Sequence, residues 1–574
     1  MEGDADSPKP AAVVKVLSSA KDLEEIASWG SIYDTAYASQ NAVNDDPTLN
    51  FSGYDNSFTP RIPHELHVVH EWVERTCDRV LALQPRRVVE LGCGNGMILL
   101  RCAGATERYA ACDLSEQAME YVDRTLRMPK FRHLHANNIV VTSLGGAHES
   151  LKFAHETLDT IVCNGVSMYF PSATYLLECI QNALAALQPG GKFFLGDVRC
   201  NSLLHHFHAA CQLAQAPDDL PVSELLLRIN KGVRFEKELL VDPDFFLALA
   251  GRLPGLAAVD LDIKRGEFHS EFSMFRYDVT FTKDGGPAAV AKKKPVAYEL
   301  LPYDAARHSA KNLTATLERD QPNVLALSGL VDARLARLDC LVQKVKTGTV
   351  ASKTNGDLLA EIAEAATALA PVEPEAMYRL GEAAGYTTTL FWPPGQPAVF
   401  DVLFVRNAAF PTADSRAAVE PLALAAARRQ WGTRKGDMVV PQKLLHTDYE
   451  LYTNRGQLAN GSAGLDDGRR TLTSTQVREI PLSTLNRLND IIRVRTWFEF
   501  GSPSLNVPCV PVDWWCFLCL LRALTHHLAR AFAGGGVEGG GARHHAGVHG
   551  AVGVRGPDAH ADDVQWQGGS QGAA

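Results

Sequence analysis

The residues with the clearest chemical purpose are the run Glu90-Leu-Gly92-Cys93-Gly94-Asn-Gly96, which follows an apolar, strand-like stretch. Glycines there let the backbone approach a ligand and take conformations that a side chain forbids. A helix beginning behind them offers free N–H groups. Dinucleotide-binding turns use the same device with the spacing G-x-G-x-x-G. Here the third glycine comes one residue early, and Met97 stands where that fingerprint needs glycine. Glu90, two residues before the first glycine, suits a ligand with a cationic centre better than a pyrophosphate.

Asp113 ends the next strand-like run, 21 residues beyond Gly92. A carboxylate there can accept hydrogen bonds from both hydroxyls of a ribose. Glu90, the glycine turn with Cys93, and Asp113 with Leu114 together describe a nucleoside site with room for a cationic amino-acid tail. S-adenosylmethionine fits that description. The competing reading is a glycine turn that only lets a helix pack closely on a strand, with Asp113 as a cap. Asn137, past the third strand, is the candidate for the adenine edge.

Methyl transfer from a sulfonium is an in-line displacement that asks for alignment and exclusion of water, not for a metal. An ammonium has no lone pair, so an amine acceptor must arrive neutral, and a nearby base or hydrogen-bond acceptor helps. Segments after the fourth and fifth strands supply Asn164, Tyr169, Asp197, Arg199, His205 and His208; the closing hairpin adds His269 and Glu271. Open α/β sheets bind ligands at the carboxyl ends of their strands, which puts Asn164 and Tyr169 in the cofactor pocket. Lid packing competes for His205, His206 and His208, and Asp197 can equally pair with Arg199.

The elements that must position these groups alternate strand and helix. Strands are expected at 87–92, 109–113, 131–135, 158–164 and 192–198, with helices beginning at 97, at Ser115 as N-cap, and over 173–187. The runs 258–264 and 272–282 are separated too briefly for a parallel crossover, so they form a hairpin. The fold expected is α/β, a Rossmann-like seven-stranded sheet with an antiparallel last strand. Around this domain, at 21–283, lie a leader (1–20), a linker (284–296) and a smaller accessory α/β region (297–410). Residues 411–532 carry no assignment, and the Gly-rich tail at 533–574 is expected to be disordered.

Composition narrows the field. The 574 residues are 46% apolar and 21% charged, ordinary globular values. A net charge of −10 provides no basic field for nucleic acid. Twelve irregularly spaced cysteines are too sparse for a disulfide scaffold. Nothing at the start reads as a secretory signal, and the greasiest run, 514–521, falls short of the roughly 20 residues a membrane span needs. A cytoplasmic protein without membrane or nucleic-acid partners is expected. Cys509, Cys516, Cys519, His526 and His527 hold one CxxC, which is poor support for zinc, so no metal is expected.

The chain also resembles the methyltransferase domains embedded in nonribosomal peptide synthetases. The matching runs, in order, are WGSIYDTAY (29–37), DPTLNFSGYDNSFT (46–59), the glycine turn, YAACDLS (109–115) and NGVSMYFPSATYLLE (164–178). They continue with GGKFFLGDVR (190–199), LLHHFHAACQLAQAPDDL (203–220) and KRGEFHSEFSMFRYDVTF (264–281). Weaker likeness extends through DARLARLD, EPEAMYRLGEAAGY and FDVLFVR to Arg406. The resemblance implies a class I methyltransferase fold and N-methylation of an amino acid, aminoacyl thioester or small amine. It singles out His208, on the family's Phe-His pair, and Glu271, before its Phe-Arg-Tyr run, for proton handling or amine orientation. Tyr54 and Asp332 depart from the family's usual Trp and Asn. No adenylate-forming loop or carrier attachment site is found in the sequence, so any carrier protein would be a separate partner. O- or C-methylation of a small metabolite, and a non-catalytic remnant of a synthetase, are the alternatives.

Overall fold

The computed structural model describes residues 20–38, 46–52, 54–60, 62–135, 139–143, 158–250, 252–285, 296–416, 419–431, 433–434, 437–438 and 453–455. All of them belong to one compact unit, Met1–Ile480. Asn137, the 514–521 run, the zinc-like cysteines and histidines, and the Gly-rich tail lie outside the described residues.

The chain enters through helices α1 (Ala20–Ala38) and α2 (Leu66–Ala82). Then come β1 (Arg87–Leu91), α3 (Leu99–Cys102), β2 (Arg108–Asp113), α4 (Glu116–Leu126), α5 (Arg132–His135), β3 (Ile139–Ser143) and β4 (Leu158–Asn164). The sheet is completed by β5 (Leu187–Arg199), β6 (Leu256–Ile263) and β7 (Arg276–Lys283). The strand order is β3-β2-β1-β4-β5-β7-β6. Strands β1 to β5 run parallel, and β7 lies antiparallel between β5 and β6. This is the expected seven-stranded α/β sheet. The order reverses between β1 and β4, and such switch points open a crevice at the carboxyl ends of the strands.

Two expected strands are corrected. Residues 131–135 are not the third strand: Pro129–Phe131 is a 3-10 turn that runs into α5, and the strand is Ile139–Ser143. Pro129 is pre-set for the first position of a helical turn. Phe131 and Leu134, three apart, are both buried, which is helical and not strand periodicity. The last strand begins at Arg276, because Ser270 and Ser273 form a capping box that starts a short helix at Glu271–Phe275.

A second sheet has the order β10-β11-β9-β8, from Leu300–Pro302 (β8), Val324–Val331 (β9), Tyr386–Phe391 (β10) and Val399–Arg406 (β11). Only β11 coincides with a strand-like apolar run of the sequence, FDVLFV at 400–405. Thr387, Thr388 and Thr389 in β10 blur its apolar alternation, and β9 is interrupted by Gly329. Both sheets share one continuous core in which Phe246, Tyr277 and Phe281 pack with Trp392 and Phe400.

A buried ionic chain links the two sheets. At a break in β5–β7 register between Leu195 and Val198, Asp197 takes φ +60° and is fully buried. A non-glycine residue in this region costs about 1–3 kcal/mol and persists only where its surroundings hold it. Lys264 Nζ lies 2.7 Å from Asp197 Oδ1 and 3.0 Å from Asp278 Oδ1. Asp278 also receives Arg79, 3.1 Å away, whose other arm reaches Asp262 at 2.7 Å. Asp262 then accepts from the Tyr378 hydroxyl (2.5 Å) and the Leu390 amide (3.1 Å), both of the second sheet's layer. Arg334 donates to the Lys264 carbonyl at 2.9 Å and is itself held by buried Asp332. Asp332 thus adds an ion pair with Arg334 to this joint.

Removing one partner of such a pair strands the others without water. Lys264→Ala is expected to lower stability by about 3–5 kcal/mol, read by urea denaturation. A loss under about 1 kcal/mol would mean that Asp197 and Asp278 do not depend on it.

Candidate functional site

The crevice begins at the glycine turn behind β1. Gly92, Gly94 and Gly96 all have positive φ. At Gly92 (φ +69°) a Cβ would lie 2.4 Å from Val166 Cγ2, so only glycine lets the β1 and β4 loops come this close. Asp113 faces the turn from the end of β2: its Oδ2 accepts from Gly94 N (2.8 Å) and its Oδ1 from Ser115 N (2.9 Å). Burial raises the Asp113 carboxyl, and the amides of Ser115, Gly94 and Leu114 oppose the shift. Leu114 is exposed at the rim, whereas Cys93 is buried, and burial pushes its thiol up.

Glu90 is 2% exposed and accepts from the Tyr109 hydroxyl at 2.8 Å. Burial pushes its carboxyl up to about 8, against the Tyr109 hydrogen bond and with help from Asp113. It lies beneath the glycine turn and is not part of an open wall.

Over the crevice lies α1, a feature not singled out as part of the site. Trp29, Tyr33 and Tyr37 recur every four residues, a spacing that puts them on one helical face. Trp29 and Tyr33 pack on Tyr169 with ring centres 4.8 and 5.2 Å apart. A Cβ on Gly94 would meet the Tyr37 hydroxyl at 3.0 Å. Asp34 tethers the helix by accepting from Ser115 Oγ at 2.6 Å. The aromatic period was the available signal.

At the carboxyl ends of β4 and β5, Asp197 Oδ2 accepts from Trp72 Nε1 (2.7 Å) and Asn164 Nδ2 (3.3 Å). Asn164 Oδ1 is buried and has no hydrogen-bond partner among the described residues. The competing reading of Asp197, a pair with Arg199, is not what the structure forms: Asp197 meets Lys264 instead. The left-handed backbone at Asp197 breaks the strand's alternation, and Arg199 turns instead to Glu236 (3.1 Å) and Glu238 (2.5 Å).

Glu271 is saturated. It accepts from Ser57 N (3.1 Å), Ser57 Oγ (2.9 Å) and Arg276 (3.4 Å), and lies 2.9 Å from His64 Nε2. Burial would raise its carboxyl, but His64 and Arg276 bring it down to about 2. Arg276 stacks over Phe272 and stands 3.8 Å from Asp197, which links Glu271 to Asn164 through charged neighbours. Trp72 stacks on Phe272 and packs against Tyr54, the other departure from the family.

His208 is set on the Leu204–Gln215 helix, with Nε2 3.2 Å from Glu236 and its ring pressed on Gly232. Glu236, buried but next to Arg199 and His208, is held down at about 2. His208 therefore joins the site through Glu236 and Arg199. On the same helix His205 is pushed down to about 4 by burial, and His206 lies 3.2 Å from Asp339. His269 meets Glu373 at the surface.

Glu271 has a depressed folded pKa, so its stabilisation is present above the ordinary carboxylate range and is lost as pH falls from about 4.5 towards 2. Glu271→Gln is expected to destabilise the protein by about 2–4 kcal/mol at pH 7. The deficit should shrink as the pH approaches 2, which stability curves across pH would record.

Parts of this chain are similar to known proteins. Residues 89–193 match a family model described as a methyltransferase domain. Chondramide synthase cmdD of Chondromyces crocatus is 36% identical over 264 residues, 46% of this chain and 7% of that protein. The probable non-canonical nonribosomal peptide synthetase CymA of Salinispora arenicola is 33% identical over 262 residues, 46% of this chain and 3% of its own length. The chain thus spans less than a tenth of these curated relatives. Among solved structures, the N-methyltransferase NodS from Bradyrhizobium japonicum in complex with S-adenosyl-L-homocysteine is 16% identical, with a TM-score of 0.25, covering 44% of this chain and 97% of that one. Among the described residues no helix is long and apolar enough to cross a membrane.

Proposed function

The chain carries a methyltransferase domain, and we propose that it transfers the methyl group of S-adenosylmethionine to a nitrogen of an amino acid, aminoacyl thioester or small amine. The observation that carries this reading is the cradle made by Gly92, Gly94 and Asp113 at the sheet's switch point, under the aromatic face of α1. Residues 21–283 are proposed as the catalytic domain and 297–410 as its companion.

S-adenosylmethionine supplies an electrophilic methyl on a sulfonium. The glycine turn fits it, since Gly92, Gly94 and Gly96 hold positive φ and leave their backbone free of side chains beside Asp113. Asp113 would hold the ribose hydroxyls, and Cys93, Gly94 and Leu114 would offer backbone contacts. Asn137 is proposed for the adenine edge. Glu90 lies near enough to respond to positive charge above it. Tyr169 and the α1 aromatics would exclude water and present electron-rich faces to a cation.

On the acceptor side, the unpartnered Asn164 Oδ1 would accept from the attacking nitrogen and orient its lone pair. Glu271 would act by orienting Arg276, because a carboxylate held near 2 is a weak base at neutral pH. His208 is proposed to act at one remove, holding Glu236 and through it Arg199 in place on the acceptor side. Nitrogen is preferred to oxygen or carbon because the relatives are peptide synthetases, whose substrates are aminoacyl groups. A separate carrier protein is a proposed partner for a thioester-bound acceptor.

A radiolabelled methyl-transfer screen over free amino acids, amines, phenols and carrier-bound aminoacyl groups tests the acceptor; label only on phenols would overturn the nitrogen reading. Asp113→Ala should abolish labelling of every acceptor. The raised Glu90 carboxyl adds a pH dependence with a definite sign. Unliganded, the folded protein keeps a proton on Glu90 that the unfolded chain has lost, so this group's contribution to stability falls as pH rises from about 4.5 to about 8. A bound sulfonium favours the carboxylate, so binding between those limits should release a proton and tighten as pH rises. Calorimetry in buffers of different ionisation heat would detect that proton, and Glu90→Gln should eliminate it.

A further inference from the structure

Thr453, Asn454 and Arg455 belong to a stretch to which the sequence assigned no function, yet Thr453 and Asn454 are completely buried. Their neighbour is the loop at 236–241. Thr453 makes a single antiparallel bridge with Val241. Asn454 Oδ1 accepts from Leu240 N (3.0 Å), and its Nδ2 donates to Glu238 O (2.8 Å). Its backbone N–H also donates to Leu240 O at 3.4 Å. Arg455 donates to Lys237 O at 3.0 Å and to Glu25 Oε1, on α1, at 2.7 Å.

The loop they hold touches the Tyr169 and Arg199–His208 parts of the proposed site. Leu239 N donates to Met168 O at 2.7 Å, one residue before Tyr169. Glu236 pairs with Arg199 and His208, and Glu238 pairs with Arg199 again. Glu238 is also close enough to Tyr33 and Tyr169 to help raise both phenols, chiefly raised by burial.

We propose that Thr453-Asn454-Arg455 is a positioning element of the methyltransferase site, with Asn454 fixing the 236–241 loop and Arg455 bridging that loop to the aromatic helix α1. The proposal rests on the cofactor reading above. An Asn side chain has a donor and an acceptor and can satisfy a carbonyl and an amide at once, as the next strand of a sheet would. Arg455 is 31% exposed and Glu25 26%, so the bridge can be altered without opening the core.

The test uses the full chain with Arg455→Ala, Glu25→Arg, Arg455→Glu and the double charge reversal. S-adenosylmethionine affinity is measured by calorimetry, and backbone exchange by hydrogen–deuterium labelling. Arg455→Ala should weaken cofactor binding about tenfold and speed exchange at 20–38 and 236–241, leaving the strands of the large sheet protected. The double reversal rebuilds the ion pair to α1 but not the hydrogen bond to Lys237 O, so it should recover part of the affinity that either reversal loses and slow exchange at 20–38 more than at 236–241. Unchanged affinity with unchanged exchange in α1, or a double reversal no better than the singles, overturns the proposal. Should the wild-type chain fail to bind S-adenosylmethionine, the cofactor reading falls, and the exchange at 20–38 still decides whether Arg455 holds the helix. If Arg455→Ala does not fold, Arg455→Lys, which keeps the charge but loses the two-way reach to Lys237 O, should show the same two changes to a smaller degree.

Discussion

Everything at the acceptor side depends on one buried carboxylate in a backbone conformation it would not choose. Asp197 sits at φ +60° with no exposure, in contact with Lys264, Trp72 and Asn164. The strain is tolerable because Lys264 neutralises it and Asp278 accepts from its amide at 3.0 Å. In return the twist breaks the alternation of β5, so Asp197 and Arg199 serve opposite networks. One organises Trp72 and Asn164; the other, through Glu236, holds His208.

The ionic chain extends well past the site. Lys264, Asp278, Arg79 and Asp262 carry the charge to Tyr378 and Leu390, so the second sheet's layer is joined to β6 by the same groups that hold Asp197. A buried network is demanding because each member is expensive to leave unpaired. That demand explains why the smaller sheet shares the catalytic domain's core and is not a loosely tethered appendage. The cofactor side is built differently. It relies on absent side chains at the glycines and on the aromatic face of α1, with few charges.

Much of the nucleotide side was legible in the residues. A glycine turn and an acid one strand later are local signals, and β1, β2, β4 and β5 emerged from short apolar runs. The third strand was misplaced because Phe131 and Leu134 are apolar at a distance that serves a helix, a difference a five-residue window hides. β9 and β10 went unrecognised because threonines and a glycine interrupt their pattern. The α1 aromatics were visible as letters, but no local rule says that their face covers the glycine turn.

By itself the sequence determined the sheet's class, the antiparallel closing hairpin, and the turn that fits a nucleoside with a cationic tail, since each depends on residues close together along the chain. Tertiary structure alone decided which acids are free and which are spent. Glu271 is saturated by Ser57, His64 and Arg276, Asp197 is paired with Lys264 rather than Arg199, and Glu90 is buried with its carboxyl pushed up. It also decided that residues 453–455 reach the 236–241 loop. The protonation and partners of a buried charge are set by its low-dielectric surroundings, and those neighbours come from distant parts of the chain.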